Sequence, residues 1–394
     1  MSTTAEAAAG NQAAMRAMAA GDFATAEAAL LQGLARDRGN LSAWLNLAVV
    51  RRQRQNIDGA FEALREALTL DARDFRALLM SATMLEQIGQ LKQAASAYGI
   101  ALADAPPDSL LDPPTLAAVR HGREVQARYA KDLGDYVRAA SADAASQCSP
   151  AGRRRLEHFI GITLRVTPRY PQLPLEYYFP GLPPVGFHER EDFPWLEEFE
   201  AATPAIQDEL RTILAEDAAE FGPYIHYPDH LPLDQWRELN NSPRWTAFHF
   251  FEQGKPIEAH CRRAPRSMAA IAKLPQAQVP LRSPTALFSV LQPHTHIPPH
   301  TGVANFRLLV HLPLILPGRC RFRVGSETRE WRLGEAWVFD DTIEHEAWND
   351  SDETRVILIC DLWNPQLSVE ERHAIADVIA ATDAYNGTVP SPSV

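Results

Sequence analysis

The chain has 394 residues, enough for two or three domains that each bury a core. Its net charge of -12 argues against nucleic acid or an anionic membrane as the default partner. The four cysteines, Cys148, Cys261, Cys320 and Cys360, are far apart and form no CxxC pair, which points to a reducing compartment without zinc ribbons or a disulfide framework.

The N-terminus, "MSTTAEAAAGNQAAMRAMAAGDF", lacks an apolar core behind a basic region, and no run of 18 apolar residues occurs anywhere. The expectation is a cytoplasmic protein with no membrane span and no signal peptide. Three stretches then align: "GDFATAEAALLQGLARD" from Gly21, "QNIDGAFEALREALTLD" from Gln55 and "GQLKQAASAYGIALADA" from Gly89, each 34 residues after the last. Ala14, Ala48 and Ala82 keep the period, as do Ala26, Ala60 and Ala94. So do Phe23, Ile57 and Leu91, and Leu34, Leu68 and Leu102. Small residues at this spacing let paired helices approach closely. The pattern resembles the tetratricopeptide repeat, in which each helix pair buries its apolar face only by stacking on the next. Residues 1–110 are therefore read as an α-solenoid; an alanine-rich helical bundle is the plainer alternative. The resemblance implies a peptide or protein partner, without naming it.

Residues 111–150 read as a helical cap or connector, and 151–380 as a second domain. "RVTPRYPQLPLEYYFPGLPPVGFHEREDFPW" (165–195) holds seven prolines, which remove donors and fix φ, so it reads as extended, irregular chain. A helix follows, with Thr203 as N-cap and Pro204 at its first position. From about 285, "ALFSVLQ", "NFRLLVHLPLIL", "RCRFRVG", "TREWRLG", "EAWVFDD" and "TRVILICDLW" read as strands. Many short strands without intervening helices suggest an antiparallel barrel or jelly roll. "SVEERHAIADVIAAT" opens with Ser368 and Glu371, the spacing of a capping box, and 381–394 read as a disordered tail.

The candidate chemistry sits in "HTHIPPHTGVANFRLLVHLPL" (294–314), which carries four histidines, with His345 soon after. A lone histidine on an apolar strand is more often a satisfied core residue than a ligand. Arg307 and His311, four apart on a predicted strand, face the same side. His345 and Arg355 flank "WNDSDET". If that turn closes a hairpin centred on Asp350, they lie opposite one another, with Cβ atoms about 4.5–5.5 Å apart. Imidazole and guanidinium on one wall can hold a metal beside an organic carboxylate.

Together with "FSVLQPHTHIPPHTG" and "PRWTAFHFFEQGKPIEAHCRRAP" (243–265), the set "HTG…NFR…HL…FDD…EHEAW.D…R" resembles the aspartyl/asparaginyl β-hydroxylase family, over roughly 150–370. The resemblance implies a double-stranded β-helix, a cupin-like jelly-roll barrel. It implies a dioxygenase that uses Fe(II), O2 and 2-oxoglutarate to hydroxylate an unactivated C–H bond, most naturally the β-carbon of Asp or Asn in a peptide or protein presented by the repeats. By the same resemblance His300 and His345 are metal ligands and Arg355 anchors the distal carboxylate of 2-oxoglutarate. Ser289 assists it, Arg307 and His311 contact the other end, and Trp245 lines the cosubstrate pocket.

Most such sites add a carboxylate two residues after the first histidine. Here that position is Gly302, which leaves room for water or substrate; members of the family share the gap. Glu344 and Glu346 alternate to the face opposite His345. Asp341 has the right parity but reads as a turn residue. His294 and His296 read as substrate-facing or as supports for the ligands. The alternatives are a hydroxylase of a lipid or small molecule, or a non-catalytic repeat scaffold with a degenerate barrel. An iron halogenase also lacks the acid, but the motif is that of hydroxylases.

Overall fold

The computed structural model describes residues 3–228, 230 and 232–387 and divides into two compact units, Met1–Val166 and Thr167–Val394. The first is all helix: α1 (Thr3–Ala19), α2 (Phe23–Arg36), α3 (Leu41–Gln53), α4 (Ile57–Leu70), α5 (Phe75–Gln87), α6 (Leu91–Ala103), α7 (Pro113–Ser146) and α8 (Pro150–Thr163). Asp22, Asn40, Asn56 and Asp74 cap α2 to α5, each accepting from a backbone N–H three residues on. The periodic alanines are the contact points: Ala14, Ala26, Ala48, Ala60, Ala82 and Ala94 are all fully buried. Three helix pairs follow from the period, as expected. Leu91 departs from it and is half exposed at the last repeat.

The unit continues past residue 150. α8 packs against α7 closely enough that a Cβ at Gly134 would lie 3.0 Å from Leu164. The boundary therefore falls at 166/167 rather than 150/151.

The second unit opens with the proline-rich stretch, which is irregular but not loose. Gln172 bridges Ile343, Tyr177 bridges Ala304, and Phe187 bridges Phe339. α9 (Leu196–Ala201) and α10 (Thr203–Glu216) follow. Thr203 is the first residue of α10, not its cap; Ala202 occupies the cap without a side-chain bond, because α9 runs almost directly into α10. Then come β1 (Gly222–Pro223), β2 (Trp245–His249), the hairpin β3 (Phe251–Glu252) and β4 (Lys255–Pro256), α11 (Glu258–Arg263) and α12 (Pro265–Ile271). The remaining strands are β5 (Ala286–Leu291), β6 (Thr295–His300), β7 (Arg307–Ile315), β8 (Cys320–Val324), β9 (Glu327–Glu330), β10 (Trp337–Phe339), β11 (His345–Asn349) and β12 (Arg355–Trp363).

Two antiparallel sheets result, ordered β1-β2-β5-β12-β7-β10 and β6-β11-β8-β9. Their inner faces share one core that includes Trp245, Leu287, Ile297, Phe322, Phe339 and Ile357. Alternation sorts β12: Val356, Leu358, Cys360 and Leu362 pack outward against Ile206, Leu210 and Ile213 of α10, while Ile357 and Ile359 point inward. Both faces of the larger sheet are thus covered, which is why β5 and β12 are buried at every position. This is a jelly-roll sandwich; no ladder joins the two sheets into a closed barrel among the described residues.

The chain ends on α13 (Val369–Asn386), opened by the expected capping box of Ser368 and Glu371. The helix reaches beyond residue 381, where a disordered tail was expected. Ile375 and Ile379 bury against Phe306 and Trp363, and Asp383 forms a two-pronged ion pair with Arg282. Residues 388–394 of that expected tail lie outside the described residues.

Candidate active site

Between the sheets lies a cavity of about 480 Å³. All seven residues singled out from the sequence line it: Trp245, Ser289, His300, Arg307, His311, His345 and Arg355. The larger sheet contributes five of them, on β2, β5, β7 and β12. The smaller sheet contributes the two histidines.

His300 on β6 and His345 on β11 are direct cross-strand partners, with ring centroids 4.1 Å apart. His300 Nδ1 donates to Pro298 O at 2.8 Å, and His345 Nδ1 donates to Ile343 O at 3.1 Å. A carbonyl only accepts, so each Nδ1 carries the proton and each Nε2 keeps its lone pair free. Burial keeps both rings neutral, holding His300 down at about 4 and His345 well below the ordinary value. Two neutral imidazoles with fixed tautomers are the donor set a borderline divalent metal takes. No cluster of three His, Cys, Asp or Glu side chains stands ready as a metal cage among the described residues, so these two would be the protein's share.

His345 and Arg355 are not opposite each other in a hairpin, as the sequence reading assumed. The chain changes sheets between them: His345 pairs with His300 and Val324, Arg355 with Leu291. Asn349 holds the corner, donating Nδ2 to Leu291 O, Gln292 O and Glu353 O. They face one another across the cavity instead of along a strand.

Arg355 is 2% exposed and has no carboxylate within ion-pair distance among the described residues. Its guanidinium lies 5.0 Å above the Trp331 ring, and its Nε has no partner. Burial pulls it down to about 10. A buried, unpaired guanidinium is costly unless an anion arrives. Trp245 Nε1 donates to Ser289 Oγ at 3.0 Å, which orients that hydroxyl in the same cavity. His311 is neutral, pushed far down by burial and then by Arg355, with Nδ1 unpartnered.

Gly302 is not open space. A Cβ built there would sit 2.0 Å from Asp341 Oδ2 and 2.2 Å from Asp341 Cγ. The carboxylate missing from position 302 is supplied, in volume, by Asp341. Asp341 is 3% exposed, lines the cavity, and lies 3.9 Å from Arg307 Nη2 with its Oδ1 unpartnered. Burial raises it to about 7 against the pull of Arg307. It is therefore a cavity group as well as a turn residue. Arg307 is held from the other side by Asp361 at 3.7 Å, itself fixed by Ser283 Oγ and Thr285 N–H.

His294 and His296 do not face the cavity. His294 is largely exposed and meets Asp352; His296 bonds Glu346 at 2.8 Å and stacks on Trp348. Glu344 and Glu346 point away from His345, as alternation requires, and both bind Arg323. Sequence reasoning missed Trp236, whose ring meets His300 edge-on at 5.0 Å, and the Trp331 platform, together with Phe322, Phe339 and Tyr224. None carries a periodic signal; each is set by the crossing of the two sheets.

A jelly-roll sandwich with a histidine pair on one inner face and a buried arginine on the other defines the class of enzyme site. Residues 200–365 match the family model described as Aspartyl/Asparaginyl beta-hydroxylase. That segment of the chain is similar to the aspartyl/asparaginyl β-hydroxylase family. The "Aspartyl/asparaginyl beta-hydroxylase" proteins of Mus musculus and Homo sapiens are 36% identical over 146 residues, which is 37% of this chain and 19% of theirs. The "Ornithine lipid ester-linked acyl 2-hydroxylase" of Rhizobium tropici is 34% identical over 201 residues, 49% of this chain and 65% of that protein. The chain thus covers only about a fifth of the two mammalian relatives' length. Among solved structures, "Arabidopsis OM64 TPR domain" aligns with 32% of this chain and 99% of its own at 14% identity and a TM-score of 0.29.

Proposed function

We propose that the second unit is a 2-oxoglutarate- and iron(II)-dependent dioxygenase, with His300 and His345 holding the metal and Arg355 anchoring the cosubstrate. The observation that carries this reading is the Arg355 guanidinium, buried without a counter-ion among the described residues, in the same cavity as two histidines with free Nε2 atoms. A dicarboxylate that chelates a metal at one end and meets a guanidinium at the other answers both needs at once. Iron with its oxo acid would supply the oxygen chemistry that no side chain here can perform. The protein's own part is to bind, orient and exclude water. Ser289 would share the distal carboxylate with Arg355. Arg307 and His311 would flank the nearer end. Phe322, Phe339 and Trp331 would keep bulk water from the deep end. Asp341, poised near neutrality, would hold water or a proton on the side where most such sites have a third protein ligand.

For the substrate, the family supports the β-carbon of Asp or Asn in a peptide or protein, delivered by the repeats. A second reading has one observation behind it. The outer cavity is lined by Leu281, Leu287, Leu309 and Ile359, which would suit an acyl chain like that named for the Rhizobium relative. Oxygen-dependent release of succinate from 2-oxoglutarate tests the chemistry. Stimulation of that release by Asp/Asn peptides or by acyl lipids separates the substrates. No binding of 2-oxoglutarate to the iron-loaded protein would refute the proposal.

A further inference from the structure

Tyr224 is the one tyrosine among the described residues that lines the cavity, and none of these assignments uses it. It follows β1 directly, and its N–H donates to Trp245 O at 3.0 Å. Its ring lies flat on the Trp245 indole, with centroids 3.9 Å apart and planes 8° from parallel. Backbone pairing and stacking together leave the hydroxyl little freedom. Tyr224 is part-buried, and its hydroxyl is open to the cavity, where a tyrosine O–H ordinarily finds a partner. This one hydrogen-bonds to no protein group among the described residues; its surroundings are the charges of Arg307, Asp341 and Arg355. Burial keeps the phenol un-ionised, pushed up to about 12, so at neutral pH it presents an O–H donor.

Packing alone does not ask for that oxygen. Phe251, Phe322 and Phe339 form other aromatic parts of the same wall without one. Asp341 is already present and ionisable, yet the hydroxyl makes no bond to it, so the donor is aimed at something that arrives. Arg307 Nε, beside it, is buried and unpartnered. A phenol O–H just after β1 and a guanidinium Nε on β7, both without a protein partner among the described residues and both lining one cavity, describe a receptor for an anionic oxygen.

Resting on the cosubstrate reading above, we propose that Tyr224 is a further cosubstrate-binding residue, whose hydroxyl donates to the carboxylate that Arg307 receives at the metal-side end of the 2-oxo acid. Trp245 then has two tasks. It orients Ser289 through its Nε1 and aims Tyr224 through its face.

The test is calorimetric titration of 2-oxoglutarate into the full chain loaded with manganese(II), a redox-inert stand-in that makes turnover irrelevant. Tyr224→Phe keeps the ring and the stack and removes only the donor. It should weaken binding roughly ten- to a hundredfold, the range for a hydrogen bond to a charged acceptor. Replacing Tyr224 with 3-fluorotyrosine, a stronger donor of nearly the same shape, should tighten binding. That change of sign would not come from packing. Under anaerobic conditions the visible charge-transfer band of the iron(II) complex with 2-oxoglutarate should also shift in Tyr224→Phe. If wild type binds normally and Tyr224→Phe binds equally well, the inference fails and the cosubstrate reading stands. If both variants weaken binding alike, Tyr224 is packing and the inference again fails. If wild type itself does not bind, both fall.

Discussion

Gly302→Asp should damage the second unit instead of completing its metal site. The reasoning is volumetric. A Cβ at 302 lies 2.0 Å from Asp341 Oδ2, a separation real side chains do not show, so the Asp341 carboxylate must leave its place. That place is buried, and the neighbour it would leave is Arg307 at 3.9 Å. Overpacking of this kind costs about 1–3 kcal/mol, and crowding a second carboxyl against the first adds to it. For a unit of this size, melting should fall by roughly 2–10 °C. Gly302→Ala isolates the steric part and should fall less. The double variant Gly302→Asp/Asp341→Gly moves the carboxylate from the segment after β10 to the segment after β6. It should recover most of the lost stability and bind iron(II) at least as tightly as wild type. Thermal melts and anaerobic iron titrations of the three variants form a double-mutant cycle with a favourable coupling. Gly302→Asp that melts with wild type and binds iron more tightly would show that Asp341 does not occupy the missing ligand's volume.

His300→Ala and His345→Ala should each leave the fold intact by circular dichroism while abolishing iron-dependent binding of 2-oxoglutarate, since the proposed site draws on just these two side chains. Arg355→Leu should weaken 2-oxoglutarate binding at least tenfold, yet not lower the melting temperature of the metal-free protein, because it removes a buried charge that has no counter-ion; a clear loss of stability would mean the charge is already satisfied. His188 is held down at about 4 by burial against an ordinary 6.5. The unfolded chain therefore takes up a proton the folded one refuses, and stability should drop by up to about 3 kcal/mol as pH falls from 6.5 to 4. His188→Leu should flatten that slope in urea titrations at several pH values. Residues 167–394 alone should still bind 2-oxoglutarate but lose kcat/KM on a protein substrate more than on a short peptide; an equal loss on both would make the repeats mere support.

The repeats were legible because their signal is local and redundant: six alanines at one spacing, each at a helix contact. The central strands were legible because β5, β7 and β12 are mostly apolar, being covered on both faces. β6 and β11 escaped notice for the opposite reason. "THIPPH" holds two prolines that would exclude a central strand, but β6 lies at the edge of its sheet, where a missing donor is tolerated. "HEAWN" is only five residues long and buries polar and apolar residues alike, so it carries no alternation to stand out. The seven residues singled out from the sequence do line one cavity, while their arrangement around it was not legible. The expected hairpin at Asp350 followed from assuming that neighbouring strands pair. Asn349, with three carbonyls to satisfy, turns the chain onto the other sheet instead. The place of Asp341 depends on a gap 39 positions earlier in the chain, which no local pattern encodes.

The ion pair between Arg282 and Asp383 changes where the second unit physically stops. The family-matched segment ends at 365, before α13 begins. A recombinant fragment trimmed to that segment would strip the cover from Phe306 and Trp363, and Trp363 is the cross-strand neighbour of Arg307. It would also leave Arg282, on the rim of the cavity, facing solvent without its carboxylate. For expression work, residue 387 is the sensible minimum C-terminus, and an affinity tag belongs beyond it.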